Sequence, residues 1–339
     1  MPKAGWKTKT IIGLEDAYGT ATALSDPPVV PIISEGIREE QILIMPPSTG
    51  GAGGLEKGRL SGTKHYGPLS LFPAYGATDL GDKSQRLIRH VGFGSETQVV
   101  PGTTRDYLHK PTATQPPSLF IAFAKDDSIR EYTGGKIQML TIRSSVEDLL
   151  WALDLDLGFQ TLNTARTSSP TDPSTWAYKD FEPIAFENTT LYINDYTAGA
   201  LGGADEVEMT GFEIILVNDY PDRRTKESGT KIAEPKRLKR IATGRFDVLE
   251  AAGFQEDLDA QKYKKAIIEA EYTSQITGRT YTETLYIPKF KFLTIPDTTP
   301  GPGFQPINAE IQLFIPETPP AGFPDQTTAE LMWRSIRTA

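Results

Sequence analysis

The sequence predicts a mainly β fold with a few helices, and three observations predict it. Leu149, Trp151, Leu153, Leu155 and Leu157 alternate with Asp154 and Asp156. That period puts the apolar set on one face of a half-buried strand and the two acids on the other. A strand-like run, a helix-like run and a long strand pair occur in that order twice. They are Arg59–Tyr75, Leu80–Phe93 and Ser118–Phe159, then Arg237–Leu249, Phe254–Ala270 and Glu271–Ile315. The 30 glycines and 26 prolines cluster between these runs, where they mark turns and loops.

The elements follow in chain order. Residues 1–35 read as an extended arm, because Thr10–Ile12 is short and Gly13, Gly19 and Pro27-Pro28 cannot sustain a helix. A first module spans 36–162. It opens on the strand candidate Gly36–Met45, passes the glycine-rich loop Pro46–Gly58, and resumes as strands through Tyr75. Leu80, Leu87, Ile88 and Val91 then share one face of a helix that Asp79 or Asp82 is placed to cap. Ser118–Lys125, Lys136–Ser144 and Leu149–Leu157 complete the module as strands. Residues 163–180 read as a linker. A second module, 181–316, carries strands Thr189–Ile193, Glu206–Val217 and Arg237–Leu249, the helix Phe254–Ala270, and strands Thr280–Ile287, Lys289–Ile295 and Ile307–Ile315. Thr298–Phe304 reads as a hairpin tip. A C-terminal arm, 317–339, includes a short helix over Thr327–Ile336. The two modules agree in element order rather than residue identity, and a single long β-sandwich is the competing arrangement.

Composition narrows the function. The chain has 339 residues, enough for two ordinary domains, and 23% of them are charged. No run reaches the roughly 18 consecutive apolar residues of a membrane helix, and no apolar segment follows the lysines of the first 18 residues, so neither a membrane span nor a secretory signal is expected. The absence of cysteine excludes disulfides, thiol nucleophiles and thiolate metal sites. The net charge of −9 lacks the basic footprint of a DNA-reading protein, yet it suits a surface that DNA slides past.

No catalytic, cofactor or metal constellation emerges. His65, His90 and His109 have no ligand spacing, and the glycines of 50–58 and Gly134-Gly135-Lys136 lack the Lys-Ser/Thr that opens a phosphate-binding helix. Asp154 and Asp156 lie on one strand face without an enclosing pocket, and Glu256, Asp257 and Asp259 open a helix where acids offset the dipole. There is no Gly-x-Ser-x-Gly elbow. Lys236, Arg237, Lys239 and Arg240 form the one concentrated basic run, best read as a solvated strand or a subunit salt-bridge partner.

One run of motifs points to a family. Gly13-Leu14-Glu15-Asp16-Ala17-Tyr18-Gly19-Thr20 is followed by Pro31-Ile32-Ile33-Ser34-Glu35. Pro101-Gly102, Tyr107-Leu108-His109, Pro116-Pro117-Ser118-Leu119, Tyr132-Thr133-Gly134-Gly135-Lys136-Ile137 and Leu140 then appear in order. This run resembles the two-domain tail-tube proteins of long-tailed, siphovirus-like bacteriophages. The resemblance implies a non-enzymatic virion protein, made in the host cytoplasm, that acts without a cofactor. Its two β-modules per chain would place three chains in a pseudo-hexameric ring, with all modules joined in one inter-subunit β-barrel around a channel. Rings would stack into a tube through which DNA leaves without specific binding, and the tape measure, tail terminator and tip proteins would be its partners. Asp154, Asp156, Glu206 and Glu208 become candidate lumen-facing acids. Gly13, Glu15, Tyr18 and Gly19 become a candidate inter-ring arm. The alternatives are another β-rich virion component, such as a baseplate or adhesin protein, and a carbohydrate-active enzyme on a β-scaffold.

Overall fold

The computed structural model of the protein describes residues 9–25, 28–44, 59–75, 79–100, 105–112, 115–125, 128–178, 182–221, 234–249, 253–274, 278–295, 307–324 and 329–337. The glycine-rich loop 46–58 and the hairpin tip 298–304 lie outside them. Among the described residues the fold is mainly β: 19 strands join in one large sheet whose pairings are antiparallel, with two α-helices, Asp79–Phe93 and Phe254–Asp259, packed against it.

The sheet can be followed strand by strand. Arg38–Ile44 pairs with Arg59–Leu71, which pairs with Ala152–Phe159 and through it with Ser128–Ser145. Ser128–Ser145 pairs onward with Met209–Asp219, then Lys239–Val248, Ile307–Leu313 and Thr280–Thr294. There the sheet forks. One arm runs from Thr280–Thr294 through Lys264–Thr273 to Thr189–Asp195 and Glu206–Val207. The other runs through Met332–Arg337 to Arg105–Pro111 and Gly94–Val100. The two expected modules are therefore stitched by backbone pairing, residues 139–145 to 211–217 and 74–75 to 182–183, and residues 333–337 of the expected C-terminal arm pair with 105–109 of the first module.

The alternation behind the β prediction holds over Ala152–Phe159, where Leu153, Leu155, Leu157 and Phe159 are buried and Asp154 and Asp156 are half-buried. Leu149 is the exception. It lies before the strand with φ 61° and is 67% exposed. The main core runs from Leu69 and Ile88 through Trp151 and Phe212 to Leu285 and Trp333, and two smaller clusters form around Ile11 and Trp176 and around Leu108 and Met332. Burying each large side chain contributes about 1.5–3 kcal/mol. The first helix offers it Ile88, Val91 and Phe93, while Leu87 is only part-buried.

Several expected elements differ. The helix expected over Phe254–Ala270 stops at Asp259. Gln261 turns into the left-handed region at φ 51°, and Lys264–Thr273 is a strand. Its inward set, Lys264, Ala266, Ile268 and Ala270, has period two, and neighbours on both edges satisfy its backbone. The C-terminal helix expected over Thr327–Ile336 is the strand Met332–Arg337, again because both edges are paired (residues 325–328 lie outside the described set). Glu206–Val217 breaks at Glu208, whereas Thr280–Thr294 continues through Pro288. Pro288 sits where the register with Lys264–Thr273 shifts, so its missing N–H leaves no ladder bond unmade.

The described part of the expected linker, 163–178, is packed. Trp176 is buried, Ala177–Tyr178 pairs in parallel with Pro28–Val29, and Arg166 meets Glu131 at 2.7 Å with both side chains fully buried. The described part of the N-terminal arm is likewise folded within its own chain. Lys9–Ala17 pairs with Leu119–Lys125, and its Ile11 and Ile12 are buried on opposite faces, Ile12 in the main core and Ile11 with Val29 and Trp176.

Candidate assembly surfaces

Across the sheet, residues in register project from the same face. Asp154 stands opposite Thr141 on one side and Ser70 on the other, and Asp156 stands opposite Met139 and Pro68. Thr141 faces Ile215 in the next strand, Arg143 faces Glu213, and Glu213 faces Arg245. The strand face that carries the two candidate lumen acids is therefore wide and mixed in sign. Arg143 Nε donates to Asp154 Oδ2 at 2.7 Å and its Nη1 to Asp148 at 2.9 Å, while Ser70 Oγ donates to the other oxygen of Asp154. These bonds, that to Asp154 foremost, hold the Arg143 guanidinium above its ordinary range. The face that carries Asp154 and Asp156 is therefore not acidic throughout, because arginines alternate with the acids across it. Sequence alternation assigned the acids to a face, but the arginines reach that face from other strands.

Glu206 and Glu208 do not join Asp154 and Asp156. Glu206 pairs opposite Tyr192 on the short outermost strand of one fork arm, and Glu208 follows it; both are exposed. The two arginines of the basic run are turned inward. Arg240 Nη2 donates to Glu330 at 2.8 Å, and Arg237 donates to the carbonyl of Thr112 and to Asn218 Oδ1. Lys236 and Lys239 stay exposed.

Gly13, Glu15, Tyr18 and Gly19 gather in one place. The Glu15 carboxylate accepts from Gly134 N at 2.7 Å and Gly19 N at 2.9 Å, and burial raises its pKa. Lys136, 5.7 Å from the Tyr18 ring centroid, donates to Pro116 O and Glu234, and burial lowers its pKa. Gly134 is required here. Its φ is 70°, and a Cβ would lie 2.5 Å from Gln160 Cβ. Gly13 is also required, because a Cβ would strike the Phe120 ring at 2.5 Å. Two sequence motifs far apart in the chain are thus one packed joint.

Two long strands are paired on one side only among the described residues: Arg38–Ile44 at one end of the sheet and Gly94–Val100 at the end of a fork arm. Their exposed residues include Arg38, Glu39 and Glu40 in the first and Thr97, Gln98 and Val99 in the second. Among the described residues there is no cluster of three or more metal-ligating side chains and no helix long and apolar enough to cross a membrane. No family model matches the chain, and no curated protein matches it.

Proposed function

We propose that the chain is a structural virion protein that polymerises as stacked, pseudo-hexameric rings of three copies into a phage tail tube, a conduit for DNA. The observation that carries this reading is the large antiparallel sheet with one-sided strands at Arg38–Ile44 and Gly94–Val100. An open edge exposes a row of unpaired donors and acceptors, and a neighbouring copy that extends the sheet satisfies them. The ordered motifs from Gly13 to Leu140 add the resemblance to tail-tube proteins. On this reading the face with Asp154 and Asp156 lines the channel. Its paired charges offer phosphates no sustained attraction. The tape measure protein would occupy the lumen during assembly, and terminator and tip proteins would close the ends.

Negative-stain microscopy of the purified chain tests the proposal. Hollow tubes or three-fold rings are expected. A discrete particle that never extends would instead favour a baseplate or adhesin component. A chain that stays monomeric at every salt and protein concentration would overturn the assembly reading.

A further inference from the structure

A stripe of apolar side chains crosses the sheet near one end of its strands. Met139, Val217 and Ile241 stand opposite one another on three adjacent strands, with Met139 and Ile241 38% and 36% exposed. Past Ile241 the surface opens into a hollow of about 590 Å³, lined by Tyr263, Phe314, Ile315 and Lys239 among others. Ile315 is 54% exposed, and the Tyr263 and Phe314 rings meet edge-on at 5.7 Å. Lys289 and Lys291 each place Nζ 4.2 Å from the Tyr263 ring centroid. The acids lining the hollow, Glu317 and Glu330, pair with Lys289 and Arg240, while Lys239 at its rim lies in register opposite Asp219 and Lys291 sits beside the Tyr263 ring.

The other end of the same strands carries the opposite feature. Ser145 pairs with Gly211, and Met209 with Val248, so the turn after Ser145 lies at the far end of Lys239–Val248 from the hollow. At 3.3 Å per residue the two are roughly 23 Å apart. The turn exposes Val146 and Leu149 by 52% and 67%. Leu149 holds a left-handed backbone, φ 61°, which is rare for leucine. Its N–H donates to Ser145 O at 3.0 Å and its carbonyl accepts from Phe186 N at 2.9 Å, so the side chain is held outward rather than free to fold back. Glu147 and Asp148 lie between the two apolar residues, and Glu187 and Glu208 are exposed on the adjoining segments.

An apolar turn set among acids at one end thus matches an apolar hollow at the other, with Lys239 at its rim and Lys291 over its Tyr263 ring. Different surfaces at opposite ends make a heterologous contact that repeats without closing. We infer that the Ser145–Leu149 turn of one copy docks in the Tyr263–Phe314–Ile315 hollow of the next. This deepens the tube reading and rests on it: sheet edges close a ring, and strand ends stack one ring on another.

The test uses the full chain and two variants at exposed positions, Leu149→Asp and Ile315→Asp, examined by sedimentation velocity and negative-stain microscopy. Each alone is expected to give rings without tubes. Mixed in equal amounts they are expected to give stacks of two rings, because one supplies an intact hollow and the other an intact turn. Tubes of wild-type length from either variant, or a mixture that behaves as the sum of its parts, would overturn the contact and leave the tube reading standing. Single-file filaments of the wild-type chain that both variants abolish would support the contact and sink the ring. A charge exchange checks the same contact without touching apolar residues. Glu147→Lys and Lys239→Glu should each raise the concentration needed for assembly about tenfold, and the double variant should recover most of it. No recovery would count against the assigned partners.

Discussion

Two arginine–carboxylate pairs in this protein have the same 2.7 Å separation and opposite surroundings. Arg166–Glu131 is fully buried, and Arg143–Asp154 lies on the sheet face with side chains 38% and 33% exposed. The buried pair is saturated. Glu131 also accepts from Thr167 N and Oγ1, while Arg166 donates to the carbonyls of Thr22, Ser169 and Pro170 and stacks 4.7 Å over Phe120. It ties the 163–170 segment and the N-terminal segment to one strand of the sheet. The exposed pair links strands that the sheet already joins. Equal distances therefore carry unequal consequences, and it is desolvation that separates them.

The comparison breaks most readily at Glu131. Glu131→Ala leaves Arg166 buried without its counter-charge and should lower stability by about 3–5 kcal/mol in urea unfolding. A loss below about 1 kcal/mol would show that the buried pair behaves like the exposed one. Replacing both residues, Glu131→Leu with Arg166→Met, should recover most of the loss.

A buried group without a hydrogen bond sharpens the contrast. His109 is fully buried, and among the described residues neither ring nitrogen has a hydrogen-bond partner, the Glu96 carboxylate lying 3.9 Å from Nε2. Burial, then Arg89, His90 and Arg86, hold its pKa well below the ordinary 6.5. The unfolded chain takes up a proton that the folded chain refuses, so this contribution to stability is full above about pH 6.5 and declines as pH falls below it. His109→Leu should flatten the loss of Tm between pH 6.5 and pH 5. An unchanged slope would place the acid sensitivity elsewhere.

Glu269 runs the other way. Burial first, then Glu271, raises its pKa above 4.5. Its favourable contribution is present below that pH and lost as pH rises through the folded value, so Glu269→Gln should raise Tm at pH 7 and leave it nearly unchanged at pH 4. The smallest effect belongs to the exposed pair. A double-mutant cycle on Arg143→Ala and Asp154→Ala should give a coupling of about 0–1 kcal/mol that salt erodes.

Much of the fold was legible because a strand with one buried face writes that face every second residue, as at Leu153–Leu157. The Phe254–Ala270 reading failed because Phe254, Leu258, Tyr263, Ile267 and Ile268 also fit a helical stripe. What makes Lys264–Thr273 a strand is its pair of neighbours, Thr189–Asp195 and Thr280–Thr294, and no local pattern names those partners. The candidate surfaces follow the same rule. The acids at 154 and 156 could be placed on a face, but Arg143 and Arg245 reach it through register alone, and the turn and hollow at 145–149 and 313–315 are adjacent to nothing they resemble in sequence. The linker was misjudged because Ser, Thr and Pro signal a loop equally well when an arginine beneath them is buried against Glu131.

The fork at Thr280–Thr294 has a dynamic consequence. Over Tyr281–Tyr286 the strand has Lys264–Thr273 on one edge and Met332–Arg337 on the other, and over Phe290–Thr294 the second neighbour becomes Ile307–Leu313. Either arm can detach while this strand keeps its remaining neighbours, but this strand cannot leave without releasing both arms. In amide exchange its backbone protons should be the last to open, on the timescale of global unfolding. Fraying would begin at Arg38–Ile44 and Gly94–Val100 and stop at the fork, so the edges that recruit neighbours can open and re-pair while the centre of the molecule stays shut.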